Sequence, residues 1–181
     1  MGIYVNLGGI PPRFVLTLGP PIVLVILIVF ISRTQPVLDR IPLGTLTYLH
    51  VVRIPVELTL WGLYLHGKVP ELMTFEGGNL DILSGLTAPV VAYLCFTKAI
   101  WYRKVALAWN FMAVGLLINI VTHAFLSFLF QTQKLALDQP NVGLLYFPFV
   151  WLPCFIVPTV LFAHLVSIKR LWQTGASGER H

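Results

Sequence analysis

The chain has 181 residues, 57% of them hydrophobic and only 10% charged, with a mean hydropathy of +0.83 and a net charge of +5. Soluble domains carry about a quarter charged residues, so this composition predicts an all-α, multi-pass membrane bundle forming one domain over residues 1–181. It excludes a disordered or collagen-like chain and, with two cysteines, a disulfide-stapled secreted module.

A hydrocarbon layer of about 30 Å takes about 20 helical residues to cross. Five apolar runs approach that length, at approximately 13–33, 44–66, 81–98, 105–130 and 143–168. The first opens on Arg13 and is interrupted by Gly19-Pro20-Pro21. It reads either as a full crossing bent near Pro20 or as a shorter helix starting there. Residues 1–12 hold no Lys or Arg and no small-residue cleavage pattern follows, which argues against a signal peptide; Asn6 argues against myristoylation.

In the second run His50, Arg53 and Glu57 are spaced three and four apart, on one helical face that Trp61 and Tyr64 continue. Ionisable groups in hydrocarbon need partners, so this face is expected to look into the bundle with Arg53 and Glu57 paired at i,i+4. That pair reads either as a structural ion pair or as a proton or substrate site. The loop at 74–81 offers Glu76, Asn79 and Asp81 as oxygen ligands, only part of a calcium loop. Asp81 is instead read as the N-cap of the third helix, and no metal is expected.

Thr87 in the third run and Asn119 in the fourth fall at the depth of Glu57. Arg53, Glu57, Thr87 and Asn119 are therefore expected to close one polar cluster, with His123 on its outward path; plain interhelical hydrogen bonding is the alternative for Thr87 and Asn119. Asn110 is half a turn away in azimuth and belongs to a different contact. Pro55, Pro89, Pro148, Pro153 and Pro158 fall inside predicted helices, where each interior proline frees the carbonyl four residues earlier: Val51, Gly85, Phe149 and Cys154 for the well-buried cases. His50 and His164 come close enough in depth to pose haem ligation as a further alternative, but no second histidine pair supports it and no cofactor is expected. Cys95 and Cys154 lie at different depths and read as small buried hydrophobes.

Basic residues set the orientation. Arg33, Arg40, Lys98, Arg103, Lys104, Lys169, Arg170 and Arg180 fall on one side, against Arg13, Lys68 and Lys134 on the other. This predicts the N-terminus outside and the C-terminus in the cytoplasm. Because these cations are scattered over helix ends, the net charge signals topology rather than nucleic-acid binding. Tyr48, Trp101, Tyr102 and Trp172 are the expected inner interface anchors, and Trp61, Tyr64 and Tyr146 the outer ones.

Arg53-Ile-Pro-Val-Glu57, Glu76-Gly-Gly-Asn-Leu-Asp-Ile-Leu83 and Gln139-Pro-Asn141 through Phe147-Pro-Phe-Val-Trp-Leu-Pro-Cys-Phe-Ile-Val-Pro158 resemble segments of an uncharacterised family of small multi-pass bacterial membrane proteins. The resemblance spans roughly residues 48–168. It implies a bacterial inner-membrane location and carries over no catalytic residue.

The expected function is binding or transport of a small polar or amphipathic ligand at a site formed by Arg53, Glu57, Thr87, Asn119 and His123. Two alternatives stand beside it: an accessory subunit of a larger membrane complex, and an intramembrane enzyme or haem-binding redox protein. No nucleophile, metal set or acid/base pair of defined geometry emerges, which argues against an enzyme. The lipid bilayer is the expected partner, with a homo-oligomer or a larger complex as possible surroundings.

Overall fold

A computed structural model describes residues 13–98, 102–133 and 138–178. The expectations resting on Trp101, Lys134 and Arg180 lie outside the described residues. Every regular element among them is helical. The elements are α1 (Arg13–Phe30), a single turn α2 (Gln35–Leu38), α3 (Leu43–Leu49), α4 (Arg53–Leu65), α5 (Ile82–Ala92), α6 (Tyr102–Gln133) and α7 (Val157–Gly178).

Of the two readings of the first run, α1 is one helix that passes through Pro20 and Pro21. The second run is divided: a tight 3₁₀ turn, His50–Val52, joins α3 to α4. Pro55 thereby falls in the first turn of α4, where a missing amide leaves no intrahelical bond unmade. The third run continues past α5 as a wide π turn, Tyr93–Thr97, closed by the Lys98 amide on the Tyr93 carbonyl at 3.1 Å.

The fifth run departs most from expectation. Its helix does not begin at residue 143, because Pro148 and Pro153 withhold amides that a helix there would need. A 3₁₀ turn covers Gly143–Leu145 and a π turn, Leu152–Ile156, leads into α7. The Phe149 carbonyl, expected to be freed by Pro153, accepts the Leu152 amide at 3.0 Å.

Tyr102–Ser127 and Leu152–Gln173 are long and apolar enough to cross a membrane, whereas Leu18–Phe30 and Ile82–Thr97 are shorter apolar helices. Among the described residues, two of the five expected spans qualify by length and composition. The second run fails the test because its turn at 50–52 splits it into short helices.

α7 packs against α1, α3 and α6, while α5 packs against α3, α4 and α6. Ser84, Gly85, Ala88 and Ala92 form the buried face of α5. This small-residue face lets the backbones approach: a Cβ on Gly85 would lie 2.8 Å from Ile54 Cγ1 and 3.2 Å from the Ile54 amide nitrogen. Two apolar clusters flank the centre. One gathers Val29, Leu46, Ala106 and Val166; the other gathers Leu60, Met73, Leu117 and Val160. Along α3–α4, α6 and α7 the buried polar residues Arg53, Asn110 and His164 fall between the two clusters.

The ends differ in charge. At one, Lys169 Nζ donates to the Val29 carbonyl in the last turn of α1 at 2.8 Å, Arg103 Nε to the Leu171 carbonyl within α7 at 3.0 Å and Arg170 to the Ile41 carbonyl between α2 and α3. At the other, the Lys68 carbonyl accepts the amides of Val142 and Gly143, and the Glu71 amide donates to Asp138 at 3.1 Å. The loop between α4 and α5 folds inward as a cover, burying Val69, Met73, Thr74 and Asn79. Its sharpest bend needs Gly77, where a Cβ would lie 2.0 Å from the Glu71 carbonyl oxygen.

Candidate functional site

The expected stripe on the second run is buried as a stripe: His50, Arg53 and Glu57 are at most 1% exposed. Its pairing is different from the expected one. Arg53 Nη1 donates to Asp81 Oδ1 at 2.5 Å and to the Ala113 carbonyl at 3.1 Å, and Nη2 lies 2.8 Å from His164 Nε2. Asp81 is the only ion-pair partner of Arg53 among the described residues. Reaching Asp81 just ahead of α5, Ala113 on α6 and His164 on α7, the guanidinium partners its terminal nitrogens in three directions, which a neighbour on its own helix cannot do.

Guanidinium is always a donor, so His164 Nε2 accepts and His164 Nδ1–H donates to Asn110 Oδ1 at 2.8 Å. The imidazole is thereby fixed as the neutral Nδ1–H tautomer. His50 stacks on it, ring centroids 3.9 Å apart and 22° from parallel, and meets Trp109 edge-on at 5.3 Å. The two histidines do come together as the depths suggested, but face to face. Axial haem ligands present ring edges to an iron between them, whereas these two rings are stacked and both His164 nitrogens are engaged.

Glu57 takes its hydrogen bond from the covering loop: Asn79 Nδ2 donates to Glu57 Oε1, and also to the Met73 carbonyl at 3.1 Å. Asn79 Oδ1 in turn accepts the Asp81 amide at 3.2 Å. Glu57 Oε2 and Arg53 Nε are buried without a partner among the described residues. Asp81 occupies the N-cap position of α5 but makes no capping bond, because its carboxylate is turned inward to Arg53. Asn79 and Asp81 are buried while Glu76 is exposed, so these three do not converge on one point; no metal-holding group of three His, Cys, Asp or Glu occurs among the described residues.

Beside Glu57 lies a partly open cavity of about 60 Å³. Arg53, Glu57 and Asp81 contribute its polar end, and side chains such as Leu60, Leu117, Ile120, Ala124 and Val160 its apolar body. That volume exceeds what a single water needs several-fold, and the lining is mostly hydrocarbon.

The other expected site residues stand elsewhere. Thr87 accepts from Trp109 Nε1 at 2.9 Å and donates to the Leu83 carbonyl at 2.7 Å, joining α5 to α6 away from the cavity. Asn119, half-buried, reaches the Gly78 carbonyl at 3.4 Å and ties α6 to the covering loop. His123 is half-buried and its Nδ1 has no partner among the described residues. Sequence reasoning missed Asn79 as the partner of Glu57 and Asp81 as the partner of Arg53. The signal available was Asn79-Leu-Asp81, two inward-capable side chains immediately before a helix that packs on α4.

Residues 11–172 match a family described as a domain of unknown function (DUF8737), and the chain belongs to that family. No curated protein and no solved structure matches it.

Proposed function

We propose that this protein is an integral membrane protein that binds a small amphipathic ligand in the cavity beside Glu57. The observation that carries the reading is the apolar, partly open cavity ending on a fully buried carboxylate with one unpartnered oxygen. Apolar pockets with a few convergent polar groups are the usual form of small-molecule sites. A scaffold alone gains nothing from burying an acid at the end of an apolar cavity, since the Asn79 hydrogen bond offsets only part of its desolvation.

The polarity of the molecule supports the membrane setting. Leu24, Val90, Ile118 and Phe155 are all more than half exposed, while Arg53, Glu57, Asn110 and His164 are buried. That arrangement inverts the pattern of a soluble domain and suits a surface solvated by lipid. The basic end, with Arg103, Lys169 and Arg170, faces the cytoplasm under the positive-inside rule. The resemblance to small bacterial membrane proteins supports the inner membrane as the location.

The test is native mass spectrometry of the protein extracted from its own membranes into lipid nanodiscs, beside Ala124→Phe, which fills the cavity. A retained small amphiphile, absent from a variant that melts normally, is the expected result. A wild-type protein that carries none, and gains no thermal stability from any added amphiphile, overturns the reading in favour of an accessory subunit.

A further inference from the structure

The buried cluster holds more acids than bases. One guanidinium, Arg53, faces two carboxylates, Asp81 and Glu57. Asp81 is in direct contact with Arg53, whose remaining terminal donors reach only neutral groups, the Ala113 carbonyl and His164 Nε2. Asn79 supplies Glu57 Oε1 with a neutral amide donor; Glu57 borders the cavity, and its Oε2 is buried with no donor among the described residues. The stretches of α6 and α7 that border the cavity, Leu117, Ile120, Ala124 and Val160 among them, bring no titratable group to Glu57. His164 reaches the cluster only through Arg53, and His50 only by stacking on His164.

Resting on the ligand-binding reading above, we propose that the cavity takes a lipophilic primary ammonium, its N–H groups on Glu57 Oε2 and its alkyl chain among the leucine, isoleucine and valine side chains. A single positive charge makes the cluster neutral. An alkyl carboxylate adds another acid to the same space, and an alcohol offers Glu57 a hydrogen bond but no charge, so neither gains the ion pair that the ammonium forms with an ionised Glu57. The partly open shape of the cavity lets the chain project past its mouth.

The experiment uses the full chain in non-ionic detergent at neutral pH, titrated separately with n-hexylamine, n-hexanol and n-hexanoate by calorimetry and thermal unfolding. Hexylamine is expected to bind and raise the melting temperature, with the alcohol and the carboxylate weaker by at least about thirtyfold. Glu57→Gln keeps an acceptor for Asn79 and should lose that preference, leaving the alcohol equal to the amine or better. If Glu57→Gln does not fold, Leu117→Trp, which occupies the apolar body, must abolish hexylamine binding. Hexanol or hexanoate binding the wild type as tightly as the amine overturns the ammonium assignment while leaving the ligand-binding reading intact. Failure of all three probes, or hexylamine binding that survives Leu117→Trp, overturns both.

Discussion

Arg53 Nη1 and Asp81 Oδ1 meet at 2.5 Å across 28 positions of chain, so the bond that neutralises the guanidinium also ties α4 to the first turn of α5. Both side chains are nearly inaccessible, which makes either one costly to leave alone. Asp81→Asn, and Arg53→Met separately, should each cost about 3–5 kcal/mol, whereas Arg53→Met together with Asp81→Asn should cost clearly less than the two single losses added. Glu57→Gln should be milder than Asp81→Asn, because the amide oxygen still accepts from Asn79. Denaturant unfolding of the four proteins checks this, and additive single losses would show that the two side chains do not act as a pair.

Gly85 and Gly115 should respond in opposite senses to alanine. At Gly85 the added carbon meets Ile54 Cγ1 at 2.8 Å, the Ile54 nitrogen at 3.2 Å and the His50 carbonyl oxygen at 3.3 Å, two of them backbone atoms that cannot rotate away. Gly85→Ala should destabilise by about 1–3 kcal/mol, as overpacking does. Gly115, within α6, has nothing within 4 Å, so Gly115→Ala should stabilise by about 0.4–1 kcal/mol through the lower entropy of the unfolded chain. Thermal melts of the two variants side by side decide it.

The helical stripe of His50, Arg53 and Glu57 was legible because a period of 3.6 residues fixes which side chains share a face. What they bond to was not. Pairing within α4 is the choice a one-dimensional pattern offers, but Arg53 and Glu57 are partnered from α5, α7 and the covering loop, and that depends on a fold-back at Gly77 whose direction no periodicity records. Depth along the helix axis also proved an incomplete guide. Thr87 and Asn119, expected at the level of Glu57, bond instead to Trp109 and Gly78, since azimuth decides which neighbour a side chain meets. The prolines at 148 and 153 were visible as helix breakers, and the late start of the last helix follows from them.

Divalent cations should leave the protein's stability unchanged. Glu76, Asn79 and Asp81 share a loop, but Asn79 is turned to Glu57 and Asp81 to Arg53, leaving Glu76 alone at the surface. Calcium needs six to eight oxygens and magnesium a near-octahedral set, and recruiting the two buried side chains would break the bonds that hold the Arg53 site. Melting curves with millimolar calcium, magnesium or a chelator should superimpose. A rise of several degrees with either ion would mean that the loop rearranges around it.

Topology gives the sharpest check on the membrane reading. Arg103, Lys169 and Arg170 gather at one end of the bundle by their bonds to Leu171, Val29 and Ile41, while Lys68, Glu71 and Asp138 gather at the other. In the membrane setting proposed above, a bilayer around the exposed apolar side chains would separate these ends, and the positive-inside rule would put the basic one in the cytoplasm. With Cys95 and Cys154 replaced by serine, a single cysteine at Lys68 or Glu71 should react with an impermeant maleimide added outside intact cells. One at Arg40 or Lys104 should react only after the membrane is opened. Each of the four positions is exposed, so burial does not limit the reagent. Labelling of both sets from the same side would remove the bilayer from between them, and with it the membrane-embedded setting proposed for the Glu57 cavity.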